Sequence, residues 1–148
     1  MTNSKKRDWL EIEYSVRFGD LDAAGVIHFY QLFRWCHEAW EKSLDLYGIS
    51  PTKVFPSAEQ GCEVAFALPI VHCKADFLLP IKLGDKLILN LNPKILSSDS
   101  FSIDFKIIRN NIAVAYACIV HVSITPKDRQ RCQLPEMISQ WIRDSSNN

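Results

Sequence analysis

Residues 29–48 read FYQLFRWCHEAWEKSLDLYG, and their apolar side chains recur at spacings of three and four. This spacing gathers them into one stripe, which predicts an amphipathic helix that faces a core. Gly48 ends the predicted helix, and Pro51 follows as a residue that cannot continue it. The stripe consists of Phe29, Leu32, Phe33, Cys36, Ala39, Trp40, Leu44 and Tyr47.

Alternating apolar and polar residues predict strands on both sides of this helix. One strand precedes the helix and four follow it, at residues 11–18, 61–79, 86–93, 101–107 and 114–124. Turns at Gly84-Asp85, at residues 97–100 and at Asn110-Asn111 separate the later strands. Prolines within and after the second strand indicate a bend or an edge position, and Pro135 begins a short C-terminal helix.

This order of elements predicts an α+β fold, in which an antiparallel sheet of about five strands wraps around one long helix. The helix of about 20 residues, roughly 30 Å long, is the only large element available to cover one face of the sheet. A single helix leaves the edges of the sheet open. We therefore expect two copies to pair edge to edge, within a homodimer or a homotetramer.

Length and composition restrict the function further. The 148 residues fit one domain, 1–148, with a polar tail at 1–9 and a C-terminal helix and tail at 133–148. Because 17 basic residues balance 17 acidic ones, we expect no nucleic-acid partner. We also expect no signal peptide and no membrane span. Five irregularly spaced cysteines favour free thiols in a reducing cytoplasm.

Two carboxylates lie just before the long helix, in the segment FGDLDAAGVIHFY at residues 18–30. A carboxylate suits thioester hydrolysis because a thiolate leaves readily, either through an anhydride or after the carboxylate takes a proton from water. Unpaired amides at the helix start can stabilise the negative oxygen that forms. Aspartates in this position are also common helix caps and turn formers, so the residues alone leave both interpretations open.

The segment from Asp20 to Ile27 resembles the signature of the 4-hydroxybenzoyl-CoA thioesterase family, an aromatic residue followed by Asp-x-Asp-x-x-Gly and an aromatic-rich helix. The resemblance extends from about Glu11 to Ile124. It implies the hotdog fold and thioesterase activity on an acyl-CoA, with no metal and no bound cofactor. It also implies that Asp22 is the catalytic nucleophile or general base, and that the backbone amide near Phe29 polarises the thioester.

Three stretches resemble more closely the cyanobacterial 1,4-dihydroxy-2-naphthoyl-CoA hydrolases, which serve phylloquinone synthesis. These stretches are residues 20–29, 36–39 and 66–85, the last beginning Phe66-Ala67-Leu68-Pro69. The implied substrate is that bicyclic aromatic acyl-CoA. Two alternatives stay open: a broader thioesterase for short or medium acyl-CoA or acyl-carrier substrates, and a hotdog module that binds acyl-CoA without turnover.

Five further residues are candidates for substrate binding. His28 and Tyr30 flank the helix start, and Glu63 begins the second strand, where it could face a pocket formed with a second copy. Some relatives hold the CoA nucleotide with basic residues after the third strand. This chain has Ser-Ser-Asp-Ser there, so Ser98 and Ser100 are the candidates for that contact.

Overall fold

The computed structural model describes residues 7–55 and 65–146. It contains five strands and two α-helices, together with short 3₁₀ helices at Asp8–Leu10, Phe18–Asp20 and Pro51–Lys53. The main elements are β1 (Glu11–Ser15), α1 (Phe29–Tyr47), β2 (Ile70–Phe77), β3 (Lys86–Ser97), β4 (Ser100–Arg109), β5 (Ile112–Val122) and α2 (Glu136–Ser145).

The strands form one antiparallel sheet in the order β1-β3-β4-β5-β2, and α1 packs on its concave face. Alternation explains this arrangement, because every second residue of the central strands points to the helix. On β4 these residues are Phe101, Ile103, Phe105 and Ile107, each at most 1% exposed. The predicted α+β fold, with a sheet wrapped around one long helix, is confirmed.

Helix α1 ends where the sequence predicts, but its buried face is rotated. Gly48 adopts a φ of +114° and donates from its amide to Leu44 and Asp45, which closes the helix end. Trp35 is buried in place of Phe33, which is only partly buried. Phe29 is 68% exposed, because the first turn of the helix extends past the core that the sheet encloses.

All five strands differ from the predicted boundaries, three of them by more than two residues at one end. Strand β1 ends at Ser15, since the following residues turn into the 3₁₀ helix at Phe18–Asp20. Strand β3 continues through Pro93 to Ser97, and it tolerates the proline because β1 pairs with β3 only as far as Asn90. Strand β2 begins at Ile70, after an isolated bridge between Ala67 and Ile124, and the predicted start of this strand at residues 61–64 lies outside the described residues.

The remaining turn and edge predictions are confirmed. Asn110 and Asn111 have φ values of 51° and 62°, as a two-residue hairpin between β4 and β5 requires. Strand β2 lies at the edge of the sheet, as its flanking prolines indicate. No helix in the two described ranges is long and apolar enough to cross a membrane.

Helix α2 closes one end of the core through tryptophan side chains. Trp141 is fully buried, and its Nε1 donates to Ser43 Oγ of α1 at 3.2 Å. Trp9 donates from Nε1 to Ser145 Oγ at 2.9 Å. Asp8 and Trp9, which the sequence assigns to the N-terminal tail, therefore lie in a 3₁₀ helix, and Trp9 is joined to α2.

A histidine is buried between α1 and the sheet. His121 of β5 is 1% exposed, and its ring lies against Trp40 and Phe101 at centroid distances of 4.4 and 5.0 Å. Its Nδ1 lies 3.0 Å from the carbonyl oxygen of Leu68. Burial and, to a smaller extent, the neighbouring His37 lower the pKa of His121, the Leu68 contact partly offsets them, and the resulting pKa is about 4. The ring is therefore neutral at pH 7.

Protonation of His121 should destabilise the fold as the pH falls. Its folded pKa is below the unfolded value of about 6.5, so its contribution is complete above pH 6.5 and is lost towards pH 4. We expect about 2 kcal/mol less unfolding free energy at pH 5 than at pH 7. His121→Gln should remove most of that difference. Denaturant unfolding at the two pH values measures it, and an unchanged difference in the variant would contradict the assignment.

Candidate active site

The loop between the 3₁₀ helix and α1 folds back on itself. The amide of Asp22 donates to the carbonyl of Val26 at 2.7 Å, and the amide of Gly25 donates to the carbonyl of Asp22 at 3.1 Å. Gly25 has a φ of +77°, a conformation that residues with a Cβ rarely adopt. The result is a small closed loop whose position relative to α1 depends on its two ends.

The first aspartate anchors this loop. Asp20 is 3% exposed, and its carboxylate accepts hydrogen bonds from Tyr14 Oη at 2.9 Å, the Arg17 amide at 2.9 Å and Arg34 Nη2 at 2.6 Å. Its carbonyl accepts from the amide of His28 at 3.2 Å. Burial raises the pKa of Asp20, but the surrounding donors, Arg17, Tyr14 and Trp35, and the charge of Arg34 together hold the pKa below its ordinary value. The carboxylate is therefore a structural anion.

The second aspartate, Asp22, is half-buried and uses its two oxygens differently. Its Oδ1 accepts from the amides of Ala24 at 2.7 Å and Val26 at 3.4 Å. Within residues 7–55 and 65–146, no group donates to its Oδ2. One oxygen shapes the loop, which is the turn-forming role that the sequence left open. The other is available to a substrate.

The start of α1 supplies backbone donors beside this loop. His28 precedes the helix without a side-chain cap, and the amide of Gln31 donates to the carbonyl of His28 at 3.0 Å. The amides of Phe29 and Tyr30 have no acceptor in the described part of the chain. These are the unpaired groups expected at a helix start. They can receive negative charge that develops on a substrate oxygen.

An apolar cavity of about 390 Å³ adjoins the loop. One wall is made by Val26, Ile27 and Phe29, and the other by residues 77–81 at the end of β2. The amide of Ile27 donates to the carbonyl of Ile81 at 3.3 Å, which joins the two walls. Asp22 therefore belongs to a loop that borders a cavity at the sheet edge. The arrangement suits a thioester whose acyl group is apolar.

The other predicted substrate contacts divide into two groups. His28 and Tyr30 lie together at the helix start, with ring centroids 5.3 Å apart. Ser98 and Ser100 lie at the β3–β4 turn, where the Ser100 hydroxyl pairs with Ser97 Oγ at 2.6 Å. The 12-residue strand β3, about 40 Å long, separates this turn from the Asp22 loop. Within one chain, the turn that carries Ser98 and Ser100 is therefore far from the Asp22 loop. The remaining candidate, Glu63, lies outside the described residues.

Sequence reasoning missed two parts of the site. One is the anchoring role of Asp20, whose partners Tyr14 and Arg34 lie elsewhere in the sequence. The other is the cavity wall at residues 77–81. An apolar Phe77-Leu78-Leu79-Pro80 run directly after an edge strand was the available signal for it. Both parts depend on contacts between separate segments.

Cys36 and His37, which are adjacent in the sequence, have separate surroundings. The Cys36 thiol is fully buried in the core, and burial raises its pKa, so it is a poor nucleophile. His37, its neighbour in sequence, contacts Glu41 through Nδ1 at 3.0 Å. Among the described residues, no group of three or more His, Cys, Asp or Glu side chains is placed to hold a metal ion.

Comparison with known proteins identifies similar chains. The family model of the Thioesterase-like superfamily matches residues 16–142. A relative from Prochlorococcus marinus strain SARG, named 1,4-dihydroxy-2-naphthoyl-CoA hydrolase, is 50% identical over 147 residues, which cover 99% of this chain and 95% of the relative. The match therefore includes the loop, the helix and the whole sheet.

Solved structures agree with this result. A structure from Prochlorococcus marinus strain MIT 9313 has 47% sequence identity and a TM-score of 0.91, covering 95% of this chain and 98% of that one. The 1,4-dihydroxy-2-naphthoyl-CoA thioesterase from Synechocystis has 33% identity and a TM-score of 0.79, covering 91% of this chain and 96% of its own. The architecture around the candidate site is thus shared with these proteins.

The two aspartates should respond differently to substitution. We expect Asp20→Asn to lower the unfolding free energy by about 2 kcal/mol, because it removes a buried charge from three donors. Asp22→Asn should cost less than about 0.5 kcal/mol, since an asparagine Oδ1 can accept the same two amides. Denaturant unfolding at pH 7 compares them. Equal losses would show that Asp20 is not the anchor.

Proposed function

This chain belongs to the thioesterase-like superfamily, and we propose that it hydrolyses 1,4-dihydroxy-2-naphthoyl-CoA to the free acid and CoA. The observation that carries the mechanism is the unengaged Oδ2 of Asp22, in a loop that borders an apolar cavity through Val26 and leads into a helix start with unpaired amides. The choice of substrate is supported by relatives of that name that match 93% to 99% of this chain. An aromatic acyl group also suits a cavity that has Phe29 in one wall and Phe77 in the other.

The chemistry follows from this arrangement. The thioester oxygen accepts hydrogen bonds from the amides of Phe29 and Tyr30, which makes its carbon more electrophilic. Asp22 Oδ2 either attacks that carbon directly or takes a proton from a water that attacks it. In the first route CoA leaves as the thiolate and water then opens the anhydride. In the second, water supplies the hydroxyl of the acid and its other proton neutralises the thiolate.

The proposal includes a dimer formed through β2. This strand pairs only with β5 in the described sheet, and Ile70, Val71 and Phe77 on it are about half exposed. Antiparallel pairing of two β2 strands would continue the sheet across both copies. A homotetramer would be built from two such dimers. The apolar edge would then be covered in the assembly.

This pairing would also explain the distant serines. The β3–β4 turn lies at the Ile70 end of β2, because Ser100 pairs with Val122 and Ile70 pairs with His121. The Asp22 loop lies at the other end, next to residues 77–81. An antiparallel two-fold brings the turn of one copy to the end that carries Asp22 in the other. Ser98 and Ser100 would thus reach the CoA nucleotide of the second copy's substrate.

The proposed setting is the cytoplasm, within phylloquinone synthesis and without a bound cofactor. The described cysteines, Cys36, Cys73, Cys118 and Cys132, are free thiols, which suits a reducing compartment. Only water is consumed besides the thioester. The reaction proposed here draws on side-chain and backbone groups of the protein alone.

Asp22→Asn tests the proposed mechanism. We expect kcat to fall by about 10³-fold, because an amide is neither a nucleophile nor a base at neutral pH. Thiol release from 1,4-dihydroxy-2-naphthoyl-CoA, followed with a thiol reagent, measures the rate. Asp45→Asn is the matched control, since Asp45 is an exposed aspartate at the far end of α1. It should keep the original rate, and an active Asp22→Asn would refute the mechanism.

The same assay separates the proposed substrate from its rivals. We expect kcat/KM for the naphthoyl ester to exceed that for short- and medium-chain acyl-CoA esters by at least about 100-fold, because a ring system can pack against Phe29 and Phe77 in the apolar cavity. Similar values across the panel would support a broad thioesterase instead. Saturable binding of the ester without thiol release would support a non-catalytic module.

Val71→Asp tests the dimer. Burying this new charge against an apolar strand edge is unfavourable, so we expect a monomer with little thioesterase activity. Light scattering coupled to size-exclusion chromatography gives the mass. Leu46→Asp is the control, because Leu46 is similarly exposed but lies on α1. If the Val71→Asp variant has the same molecular mass in solution as the wild type, the interface lies elsewhere.

A further inference from the structure

The guanidinium of Arg34 joins three side chains at the start of α1. Its Nη2 donates to Asp20 Oδ1 at 2.6 Å, its Nε to Gln31 Oε1 at 2.7 Å and its Nη1 to Glu38 Oε1 at 2.8 Å. Gln31 and Glu38 belong to the same helix as Arg34, whereas Asp20 belongs to the segment before the loop. Arg34 is thus the side chain that ties this segment to the helix.

We propose that Arg34 is a positioning residue for hydrolysis, which holds Asp22 at a fixed position relative to the amides of Phe29 and Tyr30. This inference rests on the proposed function. Arg34 acts through Asp20, which is two residues before Asp22 and accepts the His28 amide just before the helix. A shift of Asp20 would therefore move the carboxylate and the helix start relative to each other.

The hydrogen-bond pattern leaves few other restraints on the loop. Asp22, Gly25 and Val26 bond among themselves, which fixes the shape of the loop but not its orientation. Its outward links in the described structure are the Asp20 contacts and the bond from Ile27 to Ile81. Loss of the Arg34 contact removes one of the three donors to the Asp20 carboxylate. That donor is the charged one supplied by α1.

The Arg34 contact affects both stability and geometry. Arg34 is 46% exposed, but the Asp20 side chain is only 4% exposed, so removal of Arg34 leaves the buried Oδ1 without this donor and lowers the stability. A small displacement of a catalytic group can in addition slow a reaction about 100-fold. A lysine cannot replace the planar fork, because it cannot reach Asp20 and Gln31 with two fixed donors. Removal of Arg34 should therefore slow the reaction even in the molecules that stay folded.

The first test compares variants of Arg34 at saturating 1,4-dihydroxy-2-naphthoyl-CoA, well below each variant's Tm. We expect Arg34→Met to lower kcat by about 30- to 100-fold with KM changed less than about 3-fold, and Arg34→Lys to recover only part of the loss. Arg34→Lys also serves if the methionine variant folds poorly. Glu38→Gln, which removes only the outer contact, should keep the original kcat.

The second test repeats Arg34→Met or Arg34→Lys in the Asp22→Asn background, with residual turnover measured at high enzyme concentration. If Arg34 acts through Asp22, its substitution should cost less than about 3-fold there, since residues that act as a unit are not additive. An equal loss in both backgrounds would overturn the inference. So would an Arg34→Met enzyme of normal kcat beside an inactive Asp22→Asn. Full activity of Asp22→Asn would instead refute the proposed function's mechanism.

Discussion

The carboxylate of Asp20 is the point where the strand, the loop and the helix of the site meet. It is buried, and its donors come from β1, from the backbone before the 3₁₀ helix and from α1. A buried anion is costly unless its oxygens are satisfied, so its partners must stay in place whenever the protein is folded. The position of the reactive loop is thereby coupled to folding itself. Everything proposed for Asp22 depends on this constraint.

The site is open on the side of the sheet edge. Residues 77–81 form one wall of the cavity, and they follow directly from β2, whose residues are largely exposed. An edge strand with exposed apolar side chains is a favourable surface for another strand. Pairing at β2 would close the edge and bring a second β3–β4 turn to the same end of the sheet. Formation of the dimer would then also complete the site.

Features that depend on neighbouring residues could be predicted from the sequence, whereas contacts between residues far apart in the sequence could not. The end of α1 at Gly48 and the Asn110-Asn111 turn follow from local backbone preferences, so both were predictable. The position of Asp22 beside the helix start follows from chain continuity alone. The tie between Asp20 and Arg34 spans 14 residues, and no periodic pattern reports it. The exposure of Phe29 was also hidden, because periodicity does not reveal where a core ends.

Two aspartates separated by one residue thus have opposite surroundings, which suit the different roles proposed for them. Both carboxylate oxygens of Asp20 accept hydrogen bonds from fixed donors, so Asp20 can anchor the loop but has no free oxygen for a reaction. Asp22 gives one oxygen to the amides of Ala24 and Val26. These bonds withdraw some charge from the carboxylate, but they also fix its plane, so that Oδ2 has a defined direction. A freely rotating carboxylate would hold more charge and reach the attacking geometry less often. Orientation is the larger gain, because correct placement can contribute about 7 kcal/mol or more to lowering a barrier, whereas one hydrogen bond to a charged group contributes about 1.5–3 kcal/mol.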